Sequence, residues 1–129
     1  MPAMLERLIE ALERLGRAIA PVPSPRALQI LQLDEWRLMI QGSHSVLCFD
    51  RRRRAVTNAG RVVVAFGAIN QVVVEHHRDS DDRPEHWSVD LHVKGWFSDV
   101  CVGWTFDDVD ASIAAARISE FIDRPVKAW

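Results

Sequence analysis

The sequence predicts an α+β domain: an antiparallel sheet of seven strands or so, curled on itself and capped by a C-terminal helix. Three features point there. Short β-type runs parted by turn residues fill 28–106, a period of 3.6 returns after Asp107, and a separate amphipathic stripe precedes a proline run near the N-terminus. The 129 residues fit one domain, and 48% hydrophobic with 26% charged residues is ordinary globular composition.

The first element is a helix. Leu5, Leu8, Leu12, Leu15 and Ile19 recur at spacings of three and four, with Ile9 widening the stripe and Glu6, Arg7, Glu10, Glu13, Arg14 and Arg17 opposite. Pro21-Val22-Pro23-Ser24-Pro25 ends it, because proline removes N–H donors and disfavours helix before it. Residues 1–25 therefore read as an appendage, and 26–129 as the β domain with its C-terminal helix.

Within the body, Leu28 to Leu33 and Trp36 to Ile40 flank the turn residues Asp34-Glu35, and Ser45 to Phe49 follows. Ala55-Val56-Thr57 leads into Asn58-Ala59-Gly60, a tight turn whose Asn and Gly accept positive φ. Arg61 to Phe66 runs up to Gly67, and Ile69 to His77 follows. Beyond the polar loop Arg78 to Glu85, residues His86 to Lys94 alternate. Trp87, Val89, Leu91 and Val93 share one face, and His86, Ser88, Asp90, His92 and Lys94 share the other. Asp99 to Thr105 is the last strand, with Trp104 in phase with the core valines. Asp107 or Asp108 caps a helix whose apolar side is Val109, Ile113, Ile118, Phe121 and Ile122 with Ala111 and Ala114 to Ala116, and Pro125 closes it.

Four stretches carry a likeness to a known family. They are Phe49-Asp50-Arg51 closing an early strand, the Asn58-Ala59-Gly60 turn, Phe66-Gly67-Ala68-Ile69 entering a long strand, and the closing run Asp110 to Ile118. Over about residues 27–126 the chain resembles the pleckstrin-homology-like superfold in its bacterial form. The resemblance implies a curled antiparallel sheet plugged by the last helix, and a non-enzymatic domain that binds peptides, proteins, lipid headgroups or copies of itself. In phosphoinositide-binding members the basic residues lie between the first two strands. Here that loop holds Asp34-Glu35, a departure that argues against such a lipid role.

A net charge of −2 and a pI near 6.2 give no global attraction for nucleic acid or an anionic membrane. Cys48 and Cys101 sit in apolar runs and read as buried free thiols. With neither a secretory signal nor a long apolar run, the expected location is cytoplasmic.

Candidate sites follow from side-chain chemistry. Arg51, Arg52, Arg53 and Arg54 form the densest charge and could grip phosphate bidentately. In an extended segment neighbours point to opposite faces, so the competing reading is a solvated hairpin protecting a sheet edge. Pairing Arg78 with Glu85 across the loop sets His77 opposite His86, Glu75 opposite Ser88 and Val73 opposite Asp90. Glu75, His77 and His86 then share a face, where two imidazoles and a carboxylate could hold zinc; an exposed cross-strand His pair is the other reading. Asp79, Asp81 and Asp82 lack the spacing of a calcium loop. No catalytic residue, nucleophile elbow or phosphate-cradling loop is found, and no cofactor is expected.

The expectation is a non-enzymatic binding or scaffolding domain that self-associates or binds a protein partner. The N-terminal helix is its assembly element through Leu5, Leu8, Leu12, Leu15 and Ile19, and Trp96 and Phe97 are further contact residues. A peripheral membrane or anion-binding module using the arginines, and a metal-binding protein using the histidines, are the rivals.

Overall fold

The computed structural model describes residues 28–95 and 99–128. Among them nine strands form two sheets, and one helix follows the eighth strand. The first sheet is an antiparallel meander of β1 (Gln29–Leu33), β2 (Arg37–Gln41), β3 (Val46–Asp50), β4 (Ala55–Asn58) and β5 (Arg61–Ala65). The second has the order β8 (Val100–Thr105), β7 (His86–Val93), β6 (Ile69–His77), β9 (Val126–Ala128). The α+β class holds, but a single seven-stranded curled sheet does not. The chain leaves the first sheet at a 3-10 turn, Phe66–Ala68, and β6 opens a new one.

Local chemistry explains the joints. Asp34 Oδ1 accepts from the backbone N–H groups of Trp36, at 2.8 Å, and Arg37, at 2.9 Å, which fixes the β1–β2 turn. Bonding to the Gln32 amide first, then to those two N–H groups, holds this carboxyl below its ordinary value. Asn58-Ala59-Gly60 turns as expected, with Ala59 and Gly60 at φ 50° and 83°. The helix α1 (Asp108–Ile122) is capped by Asp107, whose side chain accepts from Val109 N–H at 2.9 Å. Asp123 ends it in the left-handed region.

The helix packs across both sheets and buries Ala111, Ala114, Ala115, Ile118, Phe121 and Ile122. Val109 and Ile113, expected on its apolar side, are 57% and 47% exposed. The small alanines let the backbone approach the strands closely, and that turns the first-turn Val109 and its neighbour one turn on outward. The core proper runs from Leu38, Ile40, Phe49 and Val56 in the first sheet to Val72, Val89 and Leu91 in the second.

Strand β9 is the element the sequence pattern misses. Its three residues are exposed and pair in parallel with β6, Val72 opposite Val126. Arg124 holds the approach: its Nε donates to the Ile69 carbonyl at 2.7 Å and its Nη2 to the Phe66 carbonyl at 3.3 Å. No described helix is long and apolar enough to cross a membrane.

Candidate functional site

The site is built on the outer face of the second sheet, beginning with the β6–β7 hairpin. Its register is the one expected: His77 opposite His86, Glu75 opposite Ser88, Val73 opposite Asp90. On the other side of β7, Ser88 pairs with Trp104 and Asp90 with Cys101. Since alternate residues share a face, Glu75, His77, His86, Ser88, Asp90, Cys101 and Trp104 project together.

Trp104 corrects an expectation. Simple alternation along β8 puts it beside Val102 in the core. The β7–β8 register slips between Val89 and Asp90, so Val102 and Gly103 both face inward, and Trp104 turns outward. A glycine within a strand was the available signal for such a bulge. Gly103 is also needed for space: a Cβ there would lie 2.9 Å from Leu28 Cδ2 and 3.0 Å from the Ser43 nitrogen.

Four rings form a continuous row across the face. His77 stacks on His86 with centroids 4.5 Å apart and planes 10° apart. His86 meets Trp104 edge-on at 5.9 Å, and Trp104 meets Phe106 edge-on at 5.2 Å. His76 and Trp87 stack on each other separately, at 4.9 Å, and His76 Nε2 lies 2.6 Å from Glu85. Two adjoining grooves flank the row. One of about 670 Å³ lies over Glu75, His77, Asp90 and Cys101. The other, of about 390 Å³, is walled by His44, Arg83, Pro84, His86, Trp104 and Phe106. Phe106, Pro84 and His44 entered no sequence-based site, because they come from three separate connections that only the fold brings together.

The polar groups beneath the row are committed to one another. His77 Nε2 lies 2.9 Å from Ser88 Oγ, and Ser88 Oγ donates to Asp90 Oδ2 at 3.1 Å. Ser88 is buried and hands its proton to a carboxylate, which is not the order that activates a serine. Partial burial is the main influence raising the Asp90 pKa, outweighing the hydrogen bonds from Cys101 and Ser88 that lower it. The native state therefore holds the Asp90 proton more tightly than the unfolded chain. Stability falls as pH rises through that range, and the cost persists above it. Replacing Asp90 with Asn should thus stabilise the fold at neutral pH, with the gain fading as pH falls through the raised native value and gone below 3.8, the ordinary value. Urea unfolding of both proteins across that pH range measures it.

Cys101 is exposed, yet its thiol has partial burial behind it and Asp90 beside it, and these push its pKa up to about 11. Few thiolates exist at neutral pH. Iodoacetamide at pH 8 should alkylate Cys101 about a hundredfold more slowly than an ordinary accessible thiol, and Asp90→Asn should speed it. Peptide mapping by mass spectrometry reads both rates.

The other expected sites fare differently. Glu75, His77 and His86 do share the face, with His77 Nε2 3.9 Å from Glu75. An imidazole lone pair lies in its ring plane, so two rings stacked face to face aim theirs along parallel planes and not at one ion. Among the described residues no three His, Cys, Asp or Glu side chains are grouped to hold a metal.

Arg51 to Arg54 form the β3–β4 turn, not an extended run, and their side chains disperse. Arg51 donates to the Glu35 carbonyl at 2.8 Å and lies over the Phe121 ring at 4.0 Å, tying the first sheet to α1. Arg52 lies over Trp36, and Arg53 is 3.9 Å from Asp50. Leu5, Leu8, Leu12, Leu15, Ile19, Trp96 and Phe97 lie outside the described residues.

No protein-family model, curated protein or solved structure matches the chain.

Proposed function

We propose that this chain is a non-enzymatic, protein-binding domain of pleckstrin-homology-like type. Its described contact surface is the ring row His77–His86–Trp104–Phe106. That row is the observation that carries the reading: four aromatic or imidazole rings meet face to face or edge to face on the solvent side of a sheet. Rigid rings with little rotamer entropy to lose are the side chains that dominate protein contacts. The two nucleophilic side chains of this face are held back, with Ser88 bonded to Asp90 and the Cys101 thiol kept protonated. Two antiparallel meanders followed by a helix packed on both sheets support the family reading, and self-association through residues 1–25 is the other half of the proposal.

Selection of displayed peptides on the full chain, repeated on Trp104→Ala, tests the contact surface. Peptides should be retained by the wild type and lost, by about tenfold or more, with the variant, as for a central aromatic anchor. Retention that ignores Trp104 would refute it. Sedimentation equilibrium tests assembly separately. The full chain should run heavier than 14.7 kDa, and a chain lacking residues 1–25 should run as a monomer.

A further inference from the structure

We propose that the groove between Trp104 and Phe106 takes an acidic peptide segment of another protein, in which one carboxylate side chain stands beside a large apolar one. This rests on the reading of the ring row as a protein-contact surface and names the class of partner. Trp104 and Phe106 have centroids 5.2 Å apart and planes 72° to each other, so they form two sides of an apolar corner, and Pro84 adds to its wall. The volume of about 390 Å³ is that of a pocket for a small ligand or a few side chains. Taking an apolar side chain of the partner out of water in this corner supplies affinity.

The rim decides the sign of the partner. Among the described residues that wall the groove, Arg83 carries the only fixed charge and none carries a carboxylate. His44 and His86 can only add positive charge. Among the described residues, neither the Arg83 guanidinium nor the Trp104 indole N–H has a hydrogen-bond partner. The backbone that carries Arg83 is nonetheless fixed. Its carbonyl accepts from the Ser80 N–H at 2.9 Å and from the Ser80 hydroxyl at 3.4 Å, and the carbonyl of Pro84 accepts from His86 Nδ1–H at 3.0 Å. Glu85, the acid beside Pro84, is bonded to His76 at 2.6 Å. An uncommitted planar fork thus stands beside an apolar slot, where it fits one carboxylate bidentately, and the indole N–H is open to a peptide carbonyl.

The surroundings limit how much negative charge a partner can bring. The loop that carries Arg83 also bears the exposed Asp79, Asp81 and Asp82, and the adjoining groove is lined by Glu75 and Asp90. A nucleic-acid backbone or an anionic membrane would set many charges against these acids. A single carboxylate in an otherwise apolar segment meets Arg83 without that cost.

The test takes peptides retained by the full chain from a displayed library and measures them, fluorescein-labelled, by anisotropy. Retained sequences should be enriched in Asp or Glu close to a large apolar side chain. The tightest of them should bind Arg83→Glu about tenfold or more weakly than the wild type. The same peptide with Lys in place of its acid should prefer Arg83→Glu to the wild type, a rescue that a misfolded variant could not give. Retained peptides that lack an acid, or affinities indifferent to Arg83→Glu, overturn the proposal. Phosphoserine in place of the acid that tightens binding about tenfold assigns the groove to phosphate and overturns the carboxylate. Sedimentation of the chain with phosphatidylserine vesicles that depends on Trp104 assigns it to a membrane and overturns the peptide. If retained peptides need Trp104 but not their acids, only this inference fails. If no peptide depends on Trp104, the reading beneath it fails as well.

Discussion

Gly42→Ala is expected to lower the melting temperature by more than about 10 °C in thermal unfolding followed by circular dichroism. Gly42 begins the β2–β3 turn and lies against the backbone of β8 in the second sheet. A Cβ at this position would overlap the Val102 carbonyl oxygen and would sit 3.1 Å from the Ser45 carbonyl oxygen. Both obstacles are backbone, so no side chain can swing aside. Relief requires the sheets to part, and that strains the Gly42 N–H to Ser45 carbonyl bond at 2.8 Å and the Trp104 N–H to Ser43 Oγ bond at 2.8 Å. Forced overpacking of this kind costs about 3 kcal/mol, and each kcal/mol is worth about 4–8 °C in a domain of this size. Gly67→Ala is the control. Nothing lies within 4 Å of a Cβ there, and its φ is not in the left-handed region, so the change should stay within about 0.5 kcal/mol. Equal melting of the two variants would show that the two sheets do not meet at Gly42.

Phe49→Ala should cost about 3–5 kcal/mol in urea unfolding, a large share of the about 5–15 kcal/mol that holds a domain together. Phe49 has no exposed surface, and its cross-strand neighbours Leu38 and Val56 have none either. Removing the ring opens a cavity among residues fixed by strands on both sides, so the site cannot collapse to fill it. Phe49→Leu keeps most of the volume and should lose at most about half as much, about 1.5 kcal/mol. A loss for the alanine variant near that of Phe49→Leu would mean the first sheet is not packed around this ring.

Much of the domain was legible because it depends on local rules. Strand alternation identified the inward set Val89, Leu91 and Val93, and the β6–β7 register followed from pairing Arg78 with Glu85. Asp107 as cap needs only a carboxylate ahead of a helical run. The failures have a common cause in contacts between distant segments. The bulge opposite Val89 and Asp90 moved Trp104 from the expected core to the outer face. Close packing of alanines turned Val109 and Ile113 outward, and the arginine run became a turn in which Arg51, Arg52 and Arg53 each found a separate partner.

By itself, then, the sequence determined the α+β class, the order of the first eight strands and the helix, and the polar hairpin face bearing Glu75, His77 and His86. Periodicity and turn chemistry act over a few residues and are written in the chain. Only the tertiary structure decided that the strands divide into two sheets, that β9 returns beside β6, and that His44, Pro84, Trp104 and Phe106 wall one groove. Those outcomes depend on which surfaces fit together once the chain has folded, and no window of local sequence contains both halves of such a contact.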